Sequence, residues 1–410
     1  MRIQILGMNY APEPVGIATY TTGLAEALVR RGHAVQVVAA KPYYPQWRVA
    51  DAYRGGGWST THANGVRITR CPLYVPVQPD GAKRILHHAS FALSALAPML
   101  AQSLRSRPDV VLTVAPSLIG APVARLAARL AGARGWLHIQ DFEIEAAFAT
   151  GLMAERGLLA RAALSFQTRA IKSFDRVSSI SPQMCAKLLA MGISADRVIE
   201  FRNWADLSQV RVLDRPSAYR MEWGIAAPHV ALYSGNIANK QGIGIIVEAA
   251  RRLAHRKDIL FVVCGEGPNR DHLIASASGL TNIRFEPLQP MERLGELMGL
   301  ASVHLLPQLA GAADLMLPSK LTNMLASGRP VVATAQPGTG LAGEVEGCGI
   351  ITPPGDACRF ADAIEALVDD PARRASCGAA ARERAESRWS QKVIIDRLEM
   401  QLRALIPSGR

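Results

Sequence analysis

The chain has 410 residues, of which 49% are hydrophobic and 20% charged, so it favours two or three globular domains and excludes a disordered or fibrous protein. Its six cysteines contain no C-x-x-C pair, which indicates reduced thiols in a cytosolic protein. The first residues, MRIQILG, have a strand pattern, so we expect no signal peptide. The longest stretch without Asp, Glu, Lys, Arg or His, 89–104, is too short to span a bilayer comfortably.

The net charge of +12 is concentrated in the first half of the chain. Residues 1–205 contain 23 Lys and Arg against 12 Asp and Glu, whereas residues 206–410 contain 23 against 22. A basic half implies an anionic partner, either nucleic acid or an anionic membrane surface. The plain alternative is a solvated surface in a protein from an arginine-rich proteome.

Strand and helix patterns alternate from the beginning of the chain. In the first half, hydrophobic periodicity predicts strands at 2–7, 34–40, 66–70, 109–114, 135–140, 176–180 and 197–201. Helices are predicted between them at 17–31, 84–105, 120–132, 156–173 and 182–191. This order is typical of a doubly wound domain with a parallel sheet.

A second series of the same kind follows a polar stretch after residue 205. It predicts strands at 229–234, 258–264, 282–285, 302–306, 330–333 and 348–352. It also predicts helices at 243–256, 268–277, 290–300, 318–327 and 356–369, and the last segment, 371–406, is helical by composition. Two doubly wound domains bind ligands at the carboxyl ends of their strands, so we expect a cleft between them.

The stretch HVALYSGNIANKQGIGIIVEAA, 229–250, places glycines and one lysine between a strand and a helix. Glycine lets the main chain approach a ligand, and a helix N-terminus attracts anions. Lys240 adds a point charge suited to phosphate, with Gly235 and Asn236 beside it. The motif therefore predicts a diphosphate site, and an ordinary turn with an exposed lysine is the alternative.

Two further turns of the second half carry similar chemistry. Gly265 and Glu266 follow the strand LFVVC, but the third glycine of a dinucleotide fingerprint is missing, so a simple turn is the alternative there. In LPSKLTNMLASGRPVVAT, 317–334, Ser319 suits a helix start and Lys320 lies in the first turn. A cation there opposes the helix dipole and calls for an anionic partner.

The first half has candidate residues after its first and fifth predicted strands. Gly16 opens the first helix and Tyr20 lies in its first turns, where an anion or a sugar could lie, and a plain connector between strand and helix is the alternative. In WLHIQDFEIEAAF, Asp141 lies at the carboxyl end of a strand, with Glu143 behind it. His138 lies inside that strand and could be a core histidine, so we favour Asp141 for contact with reacting groups.

Two amphipathic stretches carry much of the basic charge: KRILHHASFALSALAPMLAQSLRSR from Lys83 and RGLLARAALSFQTRAIKSF from Arg156. Helices of this composition can cover a sheet, which is the commoner case, or lie on an anionic membrane.

Taken together, these motifs resemble glycosyltransferase family 4, whose members have a GT-B fold. RRGHAVQVV is similar to the family's first helix end and second strand, and 229–250 is similar to its donor-diphosphate loop. A narrower resemblance, to fucosyltransferases of colanic-acid-type exopolysaccharide assembly, rests on the stretches GMNYAPEPVGIATYT, KPYYPQW, RCPLYVP, HHASFALS, HIQDFE and LPSKLTNMLASG.

The resemblance implies an α/β GT-B fold with two Rossmann-like doubly wound domains facing a central cleft. It implies an acceptor-binding, membrane-facing domain at 1–205 and a donor-binding domain at 206–385. A C-terminal helix at 386–410 would pack back on the first domain. The expected location is the cytoplasm, on the inner face of the bacterial plasma membrane.

The resemblance also implies roles for single residues. Lys240 matches the lysine on the donor pyrophosphate, Asn236 stands where many members have an arginine, and Leu315 and Asn323 stand in place of a glutamate pair. The implied catalytic residues are Asp141, Lys240 and Lys320. The implied donor-binding set is Gly16, Gly235, Asn236, Lys240, Gly265, Glu266, Ser319, Lys320, Leu321 and Asn323. The implied acceptor-side set is Glu13, Tyr20, His138 and Glu143.

The implied reaction is a retaining transfer of a sugar, with fucose from GDP-fucose preferred, to a lipid-linked glycan in exopolysaccharide biosynthesis. The chain has no D-x-D triplet, and we expect no metal and no cofactor. A UDP-sugar donor and a nucleotide-sugar epimerase of the same fold remain alternatives. A dehydrogenase is disfavoured by the missing fingerprint. We expect no nucleic-acid partner, because aromatic residues make up only 6% of the chain and no basic-aromatic motif occurs.

Overall fold

The computed structural model describes residues 1–410 apart from 14–15, 79, 143, 145–156, 206, 238–241, 310–318 and 407–410. The chain divides into two compact units. Unit 1 comprises Met1–Asn203 and Ile395–Arg410, and unit 2 comprises Trp204–Ile394. The sequence placed these divisions after residues 205 and 385. All six cysteines are free thiols.

Unit 1 alternates strands and helices along the chain. Its strands are β1 (Arg2–Gly7), β2 (Ala34–Ala40), β3 (Ser59–Ala63), β4 (Val66–Cys71), β5 (Val110–Ala115), β6 (Arg134–Ile139), β7 (Arg176–Ser179) and β8 (Val198–Glu200). Its helices before the crossing into unit 2 are α1 (Ile17–Arg30), α2 (Gly81–Ser106), α3 (Ala121–Ala131), α4 (Leu158–Lys172) and α5 (Pro182–Ala190).

These strands form one sheet in the order β3-β4-β2-β1-β5-β6-β7-β8. All neighbouring pairs are parallel except β3 with β4. Buried parallel strands are continuous apolar runs, which is why the pattern predicted them. The sequence missed β3, because STTHA is polar and exposed at every position of this edge strand and has no apolar alternation.

Unit 2 contains the second series. Its strands are β9 (His229–Ser234), β10 (Ile259–Cys264), β11 (Ile283–Glu286), β12 (Val303–Leu306), β13 (Val331–Thr334) and β14 (Gly349–Thr352). Its helices are α6 (Ala218–Glu222), α7 (Gly244–Arg252), α8 (Arg270–Ser276), α9 (Leu294–Gly299), α10 (Ser319–Ala326), α11 (Gly340–Val345), α12 (Ala357–Asp369) and α13 (Pro371–Arg384).

The sheet of unit 2 is parallel throughout, in the order β11-β10-β9-β12-β13-β14. The strand order reverses between β9 and β12. In open α/β sheets, ligands bind outside the carboxyl ends of the strands at such a reversal. A ligand site is therefore expected at the loops that follow β9, β10 and β12.

The C-terminal helix, α14 (Gln391–Leu405), passes from unit 2 into unit 1. Within unit 1, Arg31 lies 2.5 Å from Asp396 and 3.4 Å from Glu399, and His33 lies 3.1 Å from Glu399. The segment before it belongs to unit 2, because the buried Trp389 accepts a hydrogen bond at its carbonyl from the amide of Ala205 at 2.9 Å. Residues 386–394 are therefore part of unit 2.

Candidate functional site

The loops that follow β9 and β10 touch each other through their main chains. Gly265 has a φ of +154°, and a Cβ at this position would lie 1.9 Å from the carbonyl oxygen of Gly235. Only glycine fits this contact, and the amide of Gly235 in turn donates to the carbonyl of Cys264 at 2.9 Å. The predicted donor-binding residues Gly235 and Gly265 are thus neighbours at the ends of adjacent strands.

Lys320 extends from the first turn of α10 onto the same loops. Its Nζ lies 2.5 Å from the hydroxyl of Tyr233 and 3.4 Å from the carbonyl oxygen of Asn236. It also lies 4.4 Å from the centroid of the Tyr233 ring, a cation–π arrangement. The stem crosses Gly235 so closely that a Cβ there would lie 2.3 Å from Cε of Lys320.

The surroundings of Lys320 disfavour its charge. Burial lowers the pKa of Lys320 to about 8, and the hydroxyl and carbonyl partners named above are neutral. A half-desolvated ammonium held by neutral dipoles gains much from an approaching anion. Lys320 therefore has the electrostatic properties of an anion-binding group at the carboxyl end of β9.

Tyr233 holds this arrangement together, although the sequence did not single it out. Its hydroxyl accepts from Lys320 and donates to the carbonyl oxygen of Asn236 at 2.6 Å. Burial raises the pKa of Tyr233, so the phenol stays neutral. The only signal in the sequence is a polar-tipped aromatic residue one position before the end of a buried strand, a position where a hydroxyl can reach the loop.

The remaining predicted donor residues differ in how they are placed. Glu266 is exposed, and its carboxylate lies 3.8 Å from Arg270, while its carbonyl accepts from the amide of Ile237 at 2.8 Å. Leu321 is fully buried in the core of unit 2, so only its main chain remains for a donor contact. Asn323 is half-buried on α10. Lys240 and Leu315 lie outside the described residues, and of Ser319 the structure describes only the main chain, which begins α10.

In unit 1, Gly16 is exposed and caps α1 with a φ of +62°. Tyr20 lies in the first turns of α1, half-buried, and burial raises its pKa. Asp141 follows β6 and is half-exposed. Glu143 lies outside the described residues.

Glu13 is buried and anchors a neighbouring loop. One carboxylate oxygen accepts from the amides of Tyr43 and Tyr44 at 2.9 and 3.0 Å, and the other accepts from the side chain of Asn9 at 2.9 Å. Three hydrogen bonds to a buried carboxylate indicate a structural role in positioning the loop at residues 43–44. The resemblance implied a place for Glu13 on the acceptor side. In the structure, its carboxylate is hydrogen-bonded to other residues of unit 1.

His138 is a core histidine. It is 2% exposed, its Nδ1 lies 2.9 Å from the hydroxyl of Ser178, and its ring packs edge-on against Phe201 at 4.7 Å. Burial lowers its pKa to about 3, so the imidazole is neutral at physiological pH. Two residues further along the chain, Gln140 exchanges two amide hydrogen bonds with Asn203 at 2.9 and 2.8 Å.

Within the described part of the chain, no cluster of His, Cys, Asp or Glu has the arrangement of a metal site. Over the same residues, no helix is long and apolar enough to cross a membrane.

Comparison with known proteins decides the family. Residues 15–204 match the model of a glycosyl transferase 4-like domain, and residues 228–370 match that of glycosyl transferases group 1. The chain is 40% identical over 377 residues to the putative colanic acid biosynthesis glycosyl transferase WcaI of Escherichia coli K12, covering 90% of each chain. The chain belongs to glycosyltransferase family 4. It is also 30% identical over 277 residues to the D-inositol 3-phosphate glycosyltransferase 1 of Catenulispora acidiphila, covering 63% of this chain and 64% of that one.

Solved glycosyltransferases share the fold of this family member. The sucrose-phosphate synthase of Thermosynechococcus elongatus matches with a TM-score of 0.72 at 18% identity, covering 98% of each chain. Anabaena HepE in complex with UDP matches with a TM-score of 0.70 at 16% identity, covering 98% of this chain and all of that one. The predicted α/β GT-B fold and the resemblance to family 4 are confirmed.

Proposed function

We propose that this glycosyltransferase moves a sugar from a nucleotide diphosphate sugar to a lipid-linked glycan in bacterial exopolysaccharide biosynthesis. The observation that carries the proposal is the ammonium of Lys320, held by Tyr233 at the carboxyl end of β9. The reversal of strand order beside β9 is where such a sheet binds ligands. The similarity to WcaI supports the exopolysaccharide assignment.

The chemistry requires stabilisation of a nucleoside diphosphate leaving group. Lys320 and the main-chain amides at the beginning of α10 would face the negative charge that develops on the departing phosphates. Lys240 is proposed as the second cation on the pyrophosphate. With these groups, the reaction needs no metal and no cofactor.

Retention of configuration is proposed, through attack on the same face of the sugar from which the diphosphate departs. The departing phosphate would then accept the proton of the attacking hydroxyl. Asp141 is proposed to contact that hydroxyl. His138 suits the task less, because its neutral ring is buried and its Nδ1 is occupied by Ser178.

Fucose from GDP-fucose is the proposed donor, on the narrower resemblance to colanic-acid fucosyltransferases. A UDP-sugar is the alternative that would leave the rest of the proposal unchanged. An epimerase of the same fold would convert the donor in the absence of any acceptor, and a transferase would not.

A membrane-facing role is proposed for unit 1, because α2 exposes apolar and basic side chains together. Ile85, Leu86 and Leu93 are 55%, 54% and 74% exposed, and Lys83 and Arg84 lie exposed beside them. Apolar residues rimmed by cations match the surface of an anionic bilayer. The proposed location is the inner face of the plasma membrane, where a lipid-linked acceptor would be presented.

A calorimetric screen of GDP, UDP, GDP-fucose and UDP-sugars tests the proposed donor site. Lys320→Ala should weaken diphosphate binding by about 10- to 100-fold, the value of one charged hydrogen bond. Lys257→Ala is the matched control, because Lys257 is an exposed lysine of unit 2 whose ammonium donates to the carbonyl of Ala254, before β10 begins. Equal binding by wild type and Lys320→Ala would overturn the donor site, and a preference for UDP would overturn fucose.

A further inference from the structure

A cavity of unit 2 lies at the opposite end of its sheet from Lys320. It has a volume of about 650 Å³ and is lined by residues at or just before the beginnings of the strands, among them His229, the first residue of β9, Ser302 before β12 and Pro330 before β13. Each strand rises about 3.3 Å per residue, so six-residue β9 separates the two ends by roughly 20 Å. The cavity is therefore distinct from the proposed donor site.

Four arginines line this cavity: Arg215, Arg220, Arg329 and Arg374. Arg215 is paired with Glu296. For the other three, the described part of the chain contains no carboxylate within ion-pair distance. Asp214 also lines the cavity, at an exposed position. The lining therefore carries an excess of positive charge.

The three unpaired guanidinium groups are held in place by neutral carbonyls. Arg374 donates to the carbonyls of Leu367 and Val368 at 3.0 and 2.6 Å. Arg329 donates to the carbonyl of Leu213 at 3.4 Å, and Arg220 donates to the carbonyl of Ala227. Such bonds orient a guanidinium without neutralising it, so the cations are positioned in advance for an anion.

The groups around the cavity repel one another. Burial and then the charge of Arg374 lower the pKa of Arg329, and the buried Nε of Arg329 has no hydrogen-bond partner among the described residues. Burial, followed by Arg374, also lowers the pKa of His229. Like charges held together at a partly desolvated surface are stabilised when an anion lies between them.

We propose that this cavity binds a small molecule that carries two or more linked phosphate groups. Three fixed guanidinium groups match several phosphate oxygens at once, which a single phosphate would satisfy only in part. The volume lies within the range of ordinary small-ligand sites, about 300–1,000 Å³. The ligand and the sugar donor bind at the same time, because their sites lie at opposite ends of β9.

Pyrophosphate and tripolyphosphate are the probes, titrated calorimetrically into the full chain at constant ionic strength. In the Lys320→Ala background, pyrophosphate binding at the donor site is weaker by about 10- to 100-fold, so the further losses caused by the arginine variants report on the second site. In that background, Arg329→Gln or Arg374→Gln should weaken binding about tenfold or more. Arg373→Gln is the matched control: it removes the same charge from the exposed residue next to Arg374, outside the cavity lining, and should change the affinity less than about twofold.

Absence of binding to Lys320→Ala at millimolar pyrophosphate would overturn the proposal. An equal loss in Arg373→Gln and Arg374→Gln would also overturn it, since that result indicates surface charge alone. Loss of binding in Lys320→Ala with retained binding in wild type would place pyrophosphate in the donor site only.

A second readout does not depend on arginine variants that could fail to fold. Pyrophosphate in this cavity should raise the pKa of His229, because it offsets the neighbouring guanidinium charges. The ring of His229 can be followed by NMR in the Lys320→Ala chain, and His229→Gln identifies its signal. Pyrophosphate at the donor site would lie about two Debye lengths away at physiological salt and would leave this titration unchanged. A titration of His229 that does not move would contradict the proposed site.

Discussion

The ammonium of Lys320 lies 2.5 Å from the phenolic oxygen of Tyr233, although 87 positions separate the two residues in the chain. The hydroxyl of Tyr233 in turn donates to the carbonyl oxygen of Asn236 at 2.6 Å. One hydrogen-bonded series therefore runs from the ammonium of Lys320 on α10, through the hydroxyl of Tyr233 on β9, to the carbonyl of Asn236 in the loop after β9. It lies at the carboxyl end of the sheet. This series keeps a poorly solvated cation at the proposed diphosphate site.

Diphosphate affinity should decrease as the pH rises through about 8. Burial lowers the pKa of Lys320 to about 8, and the anion binds the protonated form, so deprotonation removes the attraction. Between pH 7 and pH 9 the protonated fraction decreases about tenfold, and the dissociation constant of GDP or UDP should increase by a similar factor. Calorimetry at constant ionic strength measures this dependence.

Lys320→Arg provides the comparison for that experiment. An arginine stays charged throughout the range, so the affinity of this variant for GDP or UDP should be nearly independent of pH, whatever its absolute value. The same decrease in Lys320→Arg as in wild type would assign the titration to another group.

Tyr233→Phe should weaken donor binding by a modest amount. The change removes the hydroxyl that orients Lys320 but keeps the ring beneath its ammonium. We expect a loss of about 1 kcal/mol, or roughly fivefold in affinity, with kcat little changed. Steady-state kinetics with the nucleotide sugar separate the two constants, and an unchanged KM would mean that the hydroxyl does not position Lys320.

Gly265→Ala should destabilise unit 2. The added Cβ would lie 1.9 Å from the carbonyl oxygen of Gly235, at a φ of +154° that alanine rarely adopts. We expect a decrease of about 2–4 kcal/mol in the free energy of unfolding, from backbone strain together with the clash. Denaturant unfolding followed by tryptophan fluorescence measures it.

Gly279→Ala isolates the contribution of the clash. Gly279 has a φ of +83° but nothing within 4 Å of its Cβ position, so this variant carries the strain alone and should lose about 1 kcal/mol. Similar losses in the two variants would mean that the loops after β9 and β10 separate without cost.

Glu13→Ala should lower the stability of unit 1 rather than act only on the acceptor. Its carboxylate accepts from the amides of Tyr43 and Tyr44 and from the side chain of Asn9, and the variant would remove the acceptor of the two main-chain amides. We expect a loss of about 2–4 kcal/mol in the free energy of unfolding.

Glu13→Gln keeps one acceptor oxygen for the two main-chain amides and loses the contact with Asn9. Its loss should be less than half that of Glu13→Ala. Wild-type unfolding in both variants, with an altered KM for the acceptor, would favour direct contact between Glu13 and the acceptor.

Ile85→Ser with Leu86→Ser should weaken binding to vesicles that contain anionic lipid by about tenfold or more, because two half-exposed apolar side chains no longer enter the bilayer. Vesicle co-sedimentation measures it. The matched control is Leu126→Ser with Leu130→Ser, at 42% and 52% exposure on α3. Equal effects of both pairs, or no affinity of the wild type for anionic vesicles, would contradict the proposed membrane surface.

The two doubly wound units could be predicted from the amino-acid sequence, because buried parallel strands and amphipathic helices leave local periodic patterns. The sequence also identified Gly235, Gly265 and Lys320 as candidate site residues. A glycine turn after a strand, and a cation in the first turn of a helix, can each be recognised from the few residues on either side. The edge strand β3 left no such pattern, because its polar residues face solvent.

The contacts among these residues could not be predicted from local patterns, because they depend on the three-dimensional fold. The contact of Lys320 with Tyr233, the clash that excludes any side chain from Gly265 and the hydrogen bonds of Glu13 to the amides of Tyr43 and Tyr44 join segments that the chain separates by 30 to 87 positions. The order of strands in each sheet determines these neighbours, and strand order depends on how helices pack across the sheet. The four arginines that line the cavity of unit 2 also come from separate segments. Each lies near the beginning of a strand or helix, and a parallel sheet places the beginnings of its strands at one end.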